Sequence, residues 1–131
     1  MPVLVNQATL SNHQIFRDFF EKYSQDSARG IYYLKEYYVT DALVSLHIRQ
    51  SNKNFLYEMV GFDNMKKTMN EIGINAIKYY GVTPTIQPLS ENVILVSFDC
   101  NSERYPMTCC LTIQLISGSY KITHQIINIF I

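Results

Sequence analysis

Tryptophan is absent from this sequence, charge is sparse and balanced, and no apolar run approaches membrane-spanning length. Eleven basic and eleven acidic side chains cancel. No basic tract or stripe stands out, so direct nucleic-acid binding by this domain is disfavoured, and no membrane partner is expected. Cysteine is limited to Cys100, Cys109 and Cys110, an odd number without a spaced framework. Neighbours on a strand point to opposite faces, so Cys109 and Cys110 do not readily pair. Reduced, buried thiols of a cytoplasmic or nuclear protein are the reading. No second Cys or His stands at ligand spacing, so neither a metal nor another cofactor is expected. The opening Met1 to Asn6 lacks a charged n-region and a long apolar core, and is not read as a secretory signal.

What is present is apolar and ring-rich. Hydrophobic residues make up 47% and charged residues 17% of 131 positions, enough for one domain to bury a sizeable core. The domain spans residues 1–131, either as a whole protein or as the N-terminal domain of a longer one. So few charges suggest that some apolar surface is covered by a partner, most simply another copy. Of ten tyrosines and seven phenylalanines, eight crowd the first third, at Phe16, Phe19, Phe20, Tyr23, Tyr32, Tyr33, Tyr37 and Tyr38. Such rings need a concave surface, and a curved sheet wrapped on helices supplies one while leaving a pocket or groove.

The spacing predicts an order α-α-β-β-α-β-β-β-β. Ser11 and Gln14 form a capping-box pattern with Leu10 and Ile15 at the staple positions, opening a helix to about Ser24. Its apolar face is Ile15, Phe16, Phe19, Phe20 and Tyr23. After a polar break at Gln25–Gly30, a short helix covers Ile31–Val39 with Leu34, Tyr37 and Tyr38 inward. Ala42–Ile48 alternates as a strand, with Leu43, Ser45 and His47 on one side and Val44, Leu46 and Ile48 on the other. A second strand covers Phe55–Val60. Gly61 opens a third helix whose Phe62, Met65, Met69 and Ile72 share one face, closed by Gly73. Ile74–Leu89 reads as a long strand interrupted by Gly81 and Pro84. Val93–Cys100 and Tyr105–Ile116 form a hairpin, and Tyr120–Ile131 is the last strand. This is an α+β domain: three helices packed on a strongly bent, mostly antiparallel sheet.

With that order, several local patterns together resemble the nuclear transport factor 2 family over about residues 11–129. Ile15-Phe16-Arg17-Asp18-Phe19-Phe20 is similar to its first helix, and Leu34-Lys35-Glu36-Tyr37-Tyr38 to its second. Gly61, Met65 and Met69 match a Gly-x-x-x-Ile-x-x-x-Leu third helix. Met107, Cys109, Leu111 and Ile113 follow its Phe-x-Gln-x-Phe-x-Leu strand. The resemblance implies a cone-like fold. Departures narrow the subtype. The last strand carries His124-Gln125-Ile126-Ile127-Asn128 where the family usually has Asn-Asp-apolar-Phe-Arg. The carrier of Ran in its GDP form has Trp-Glu-Gly where this chain has His47-Ile48-Arg49. Asp99 and Glu103 lie near that carrier's other acidic contacts at a different spacing. Losing a charged contact from a desolvated interface costs on the order of several kcal/mol, so the Ran carrier, which also binds phenylalanine-glycine nucleoporins, is an alternative only.

The resemblance points instead to adaptors of messenger-RNA export and stress-granule ribonucleoprotein assembly, which act as dimers without catalysis. Their groove for short phenylalanine-containing motifs maps to Ile15 and Asp18 on the first helix, Tyr37 on the second and Ile127 on the last strand. Phe19 joins this set, although helix-face rings such as Phe19 and Phe20 are read as core first. Asp18 can accept an N–H from a bound peptide or stand merely solvated. Dimerisation, as a homodimer or with a related domain, is expected on the sheet's outer face. There Thr108, Cys110, Thr112 and Gln114 form a polar but uncharged stripe. A second alternative is an isomerase or dehydratase acting on a small ligand in the cone. It needs an interior carboxylate or histidine base with a tyrosine opposite, for which Tyr79, Tyr80 and Asp99 are the candidates. No catalytic residue is assigned.

Overall fold

The computed structural model describes residues 7–131, with side chains from Ser11 onward. The elements are helix α1 (Gln7–Arg29), a 3-10 helix (Ile31–Tyr37), strands β1 (Tyr38–Arg49) and β2 (Asn54–Val60), helix α2 (Phe62–Glu71), and strands β3 (Tyr80–Ser90), β4 (Val93–Ser102), β5 (Tyr105–Ile116) and β6 (Ser119–Phe130). The element order is the expected one. The six strands form one sheet in the order β2-β1-β6-β5-β4-β3. Only the β1–β6 pair is parallel; the others are antiparallel.

Register shifts on β1, β3 and near Thr112 of β5 bend the sheet. Pro84 and Pro88 lie on β3, an edge strand, where a missing N–H breaks no ladder on the open side. Alternate side chains of the concave face then meet the helices. Val44 and Leu46 of β1, Val96 and Phe98 of β4, Leu111 and Ile113 of β5 and Ile122 and Ile127 of β6 are all buried there. Phe16, Tyr23, Leu34, Met65 and Met69 cover them from the helical side.

Three local expectations are corrected. Ser11 does not cap α1, because the helix already runs from Gln7; nothing in residues 7–10 breaks a helix, so it propagates past the local capping pattern. Gln14 uses its amide to bond the Asp18 carboxylate at 2.8 Å. The side chain of Leu10 lies outside the described residues. Second, Gln25–Arg29 continues α1 and does not break it. The buried Ser27 hydroxyl donates to the Ile77 carbonyl at 2.6 Å, and the Ile77 N–H donates to the Ser27 carbonyl at 3.1 Å. Third, the segment between α2 and Tyr80 is irregular, although its alternation reads as strand. Its backbone partners are helix ends: Ile74 N–H bonds Met69 O at 2.7 Å, and Ile31 N–H bonds Asn75 O at 2.8 Å.

Gly61 is demanded by geometry. Its φ is 84°, and an added Cβ would sit 3.0 Å from the Thr40 carbonyl oxygen. Its N–H bonds Ala42 O at 2.8 Å, which fixes how α2 leaves the β1–β2 hairpin.

Candidate functional site

Between α1, the 3-10 helix and the start of β6 lies an open groove of about 490 Å³. Helical spacing puts Ile15, Asp18, Phe19 and Lys22 on one side of α1, and all four line it. Tyr37 and Glu36 form the opposite wall, and Tyr120 closes the end. Phe19 and Tyr37 meet edge to face with centroids 5.7 Å apart. The Tyr37 hydroxyl donates to Asp26 Oδ2 at 2.6 Å. Partial burial, then the Asp26 carboxylate, push the Tyr37 hydroxyl up to about 12. This contact holds the ring upright, so the groove keeps its aromatic wall without a guest.

The structure therefore brings together Ile15, Asp18, Phe19 and Tyr37 but not Ile127. Ile127 is 1% exposed and belongs to the core. It sits on the concave face of β6, opposite Cys109 of β5 and Leu46 of β1. The last strand reaches the groove only at its first residues, Ser119 and Tyr120. Phe19 serves two roles, core on one side and groove floor on the other.

Inside the cone a polar ring closes on itself. Tyr38 donates to Gln125 Oε1 at 2.6 Å, and Gln125 Nε2 donates to the Tyr23 oxygen at 3.2 Å. The Tyr23 and Tyr38 hydroxyls are 2.8 Å apart; since Tyr38 spends its proton on Gln125, Tyr23 is the donor of that pair. Gln125 also donates to Cys109 Sγ at 3.7 Å. Burial raises Tyr23, and raises Tyr38 and Tyr79 well above the ordinary tyrosine value of 10.0. The Cys109 thiol is likewise pushed up by burial. All these groups stay neutral at physiological pH. The Tyr79 hydroxyl is buried beside the ring and faces the Tyr23 hydroxyl, but makes no hydrogen bond of good geometry among the described residues. The sequence reading missed Tyr23, Tyr38 and Gln125 as a cluster. The available signal was Gln125 itself, an amide sharing the inward parity of Ile127 and Ile129.

The other candidates for interior chemistry face outward. Asp99 pairs with Thr83 and Thr108 and is exposed, and the Tyr80 ring is exposed. His47 stands opposite Leu56 and Asn128, and His124 is exposed next to Leu43 and Thr112. Among the described residues no group of three His, Cys, Asp or Glu side chains is arranged to hold a metal ion. No helix among them is long and apolar enough to cross a membrane.

The convex face of the sheet carries Thr108, Cys110, Thr112 and Gln114, all partly buried, as the alternation of β5 requires. Its apolar weight lies elsewhere. Leu43 is 48% exposed, Leu56 55%, Val60 55% and Ile126 50%. Leu43 pairs with Val60 across β1–β2 and lies diagonal to Ile126, which pairs with Ser45 of β1 and Cys110 of β5; Leu56 is set apart from them by Glu58 and His47.

No protein-family model matches this sequence. No curated protein matches it in sequence either. Solved structures do match. A candidate scytalone dehydratase from Novosphingobium aromaticivorans superposes with a TM-score of 0.69 at 16% identity, over 97% of this chain and 89% of that one. Nuclear transport factor 2 from Cryptosporidium parvum gives 0.66 at 15% identity, over 98% and 99%. A candidate ketosteroid isomerase from Parabacteroides distasonis gives 0.62 at 12%, over 87% and 84%. The fold is thus the nuclear transport factor 2-like α+β cone. Likeness at such identities speaks to the fold alone, and the fold hosts both enzymes and carriers.

Proposed function

We propose that this domain is a non-catalytic adaptor. It pairs through the convex face of its sheet, with a second copy or a related domain. Its groove on α1 takes short apolar, phenylalanine-containing segments of other proteins. The setting suggested by the sequence resemblance is ribonucleoprotein assembly or messenger-RNA and nucleocytoplasmic transport.

The observation that carries the reading is the group of half-exposed apolar side chains Leu43, Leu56, Val60 and Ile126 on the convex face, interspersed with Ser45, His47 and Glu58 beside an uncharged β5 stripe. Each of these side chains is about half exposed, so covering it contributes about 1 kcal/mol, and a two-fold contact does so twice. The interior supports the same view. Tyr23, Tyr38 and Gln125, the donors that could steady a ligand's oxygen, are committed to one another.

Sedimentation equilibrium of the wild type against Ile126→Lys tests the pairing. A dimer is expected for the wild type and a monomer for the variant. A wild type that stays monomeric at high concentration removes the basis of the reading.

A small-ligand enzyme is the second reading. The observation in its favour is the unpaired interior hydroxyl of Tyr79.

A further inference from the structure

We infer that the guest of the α1 groove carries a basic side chain next to its apolar anchor. This rests on the adaptor reading and specifies its partner. The floor, Ile15, Phe19 and Tyr37, accepts an apolar or aromatic side chain whatever flanks it. The flanks are decided by the charges on the two walls.

Asp18 stands on the α1 wall, held by the Gln14 amide at 2.8 Å and exposed. Glu36 stands on the facing wall, also exposed. Neither carboxylate forms an ion pair among the described residues; the pairs there are Arg29 with Asp26 and Lys78 with Glu103. Asp26 is further occupied by the Tyr37 hydroxyl. Against these two acids the lining has one cation, Lys22, on the same wall as Asp18. Nearby Lys121 holds its ammonium 2.9 Å from the Glu36 backbone carbonyl, outside the groove lining, and offsets part of the Glu36 charge without pairing with its carboxylate.

A guest laid across the floor therefore meets a carboxylate on each side. A Lys or Arg beside the anchor gains a charge-assisted hydrogen bond there, and an Asp or Glu meets repulsion. Both carboxylates are open to solvent, so the gain is modest and screened by salt.

The test uses three fluorescein-labelled heptapeptides with a central Phe flanked by Lys, Ser or Glu, measured by fluorescence anisotropy at low and high salt. The Lys-flanked peptide is expected to bind about threefold to tenfold more tightly than the Glu-flanked one at low salt, with the gap closing as salt rises. The double variant Asp18→Asn, Glu36→Gln keeps the shape of both walls and is expected to bring the Lys- and Glu-flanked peptides to within about twofold of each other at low salt, whatever it does to the affinity they share. If Ser- and Glu-flanked peptides bind as well as the Lys-flanked one, and Tyr37→Ala abolishes all three, the groove stands but the inference falls. A preference that survives the double variant also overturns it. If no peptide binds, the adaptor reading falls and takes the inference with it.

Discussion

Replacing Tyr79 by Phe removes one oxygen and nothing else from the centre of the aromatic cluster. The ring would keep its edge-to-face contacts with Phe20 at 5.3 Å and Phe98 at 6.1 Å. The lost hydroxyl is buried and makes no hydrogen bond of good geometry among the described residues, its nearest polar neighbour being Tyr23. Leaving such a group unpaired costs about 1–3 kcal/mol relative to solvent, so its removal is expected to stabilise the domain by about 1 kcal/mol. For a domain of this size that corresponds to a rise in Tm of about 4 °C. Urea unfolding should show a higher midpoint at unchanged m, because the same surface is exposed on unfolding. Gln125→Leu is the control of opposite sign. It strips the Tyr38 donor of its acceptor and Tyr23 of its incoming N–H, and is expected to cost about 2–4 kcal/mol. A Tyr79→Phe protein that is less stable than wild type by 1 kcal/mol or more would refute the reasoning. It would mean that the hydroxyl is satisfied in the folded state by its neighbour Tyr23, so that Tyr79 belongs to the polar ring.

Two further outcomes follow from the geometry. Tyr23, Tyr38 and Tyr79 hold their protons in the folded state beyond the ordinary value of 10.0, so the unfolded chain is the first to lose them. Their contribution is full below about pH 10 and lost as pH rises above it; a Tm series from pH 7 to 11.5 should be flat and then fall, and an unbroken plateau contradicts the burial. Gly61→Ala combines a positive φ with a Cβ 3.0 Å from the Thr40 carbonyl and is expected to cost about 2–3 kcal/mol by chemical denaturation, whereas less than about 0.5 kcal/mol would show that the β2–α2 junction relaxes freely.

The elements that were legible in the sequence are those with short-range causes. The β4–β5 hairpin alternates strictly around a polar turn, and its predicted bounds lie within two residues of those observed. Helix α2 shows its buried face in Phe62, Met65 and Met69 alone. The errors arise where a distant partner decides. Ser27 looks like part of a polar break until Ile77 supplies its acceptor. Residues 74–79 look like strand until the ends of α1 and α2 claim their backbone groups. For the groove, Ile15, Asp18 and Tyr37 were named from the family resemblance, and helical spacing explains why Ile15, Asp18 and Phe19 share one side of α1. Ile127 was misplaced because a motif match locates a strand residue without revealing which stretch of that strand borders the groove. The Tyr23–Tyr38–Gln125 ring joins three elements far apart in sequence, so no local window contains it.

The parallel seam between β1 and β6 has a consequence for biosynthesis. Because β6 lies between β1 and β5, the sheet without it is two disconnected pieces, β2–β1 and β5–β4–β3. A ribosome must therefore release residues up to Phe130 before either half finds its neighbour. Until then the concave face of the sheet lacks its middle strand and its buried side chains stay exposed in the nascent chain, within reach of chaperones, and an early stop codon within β6 would leave fragments destined for proteolysis instead of a weakened domain.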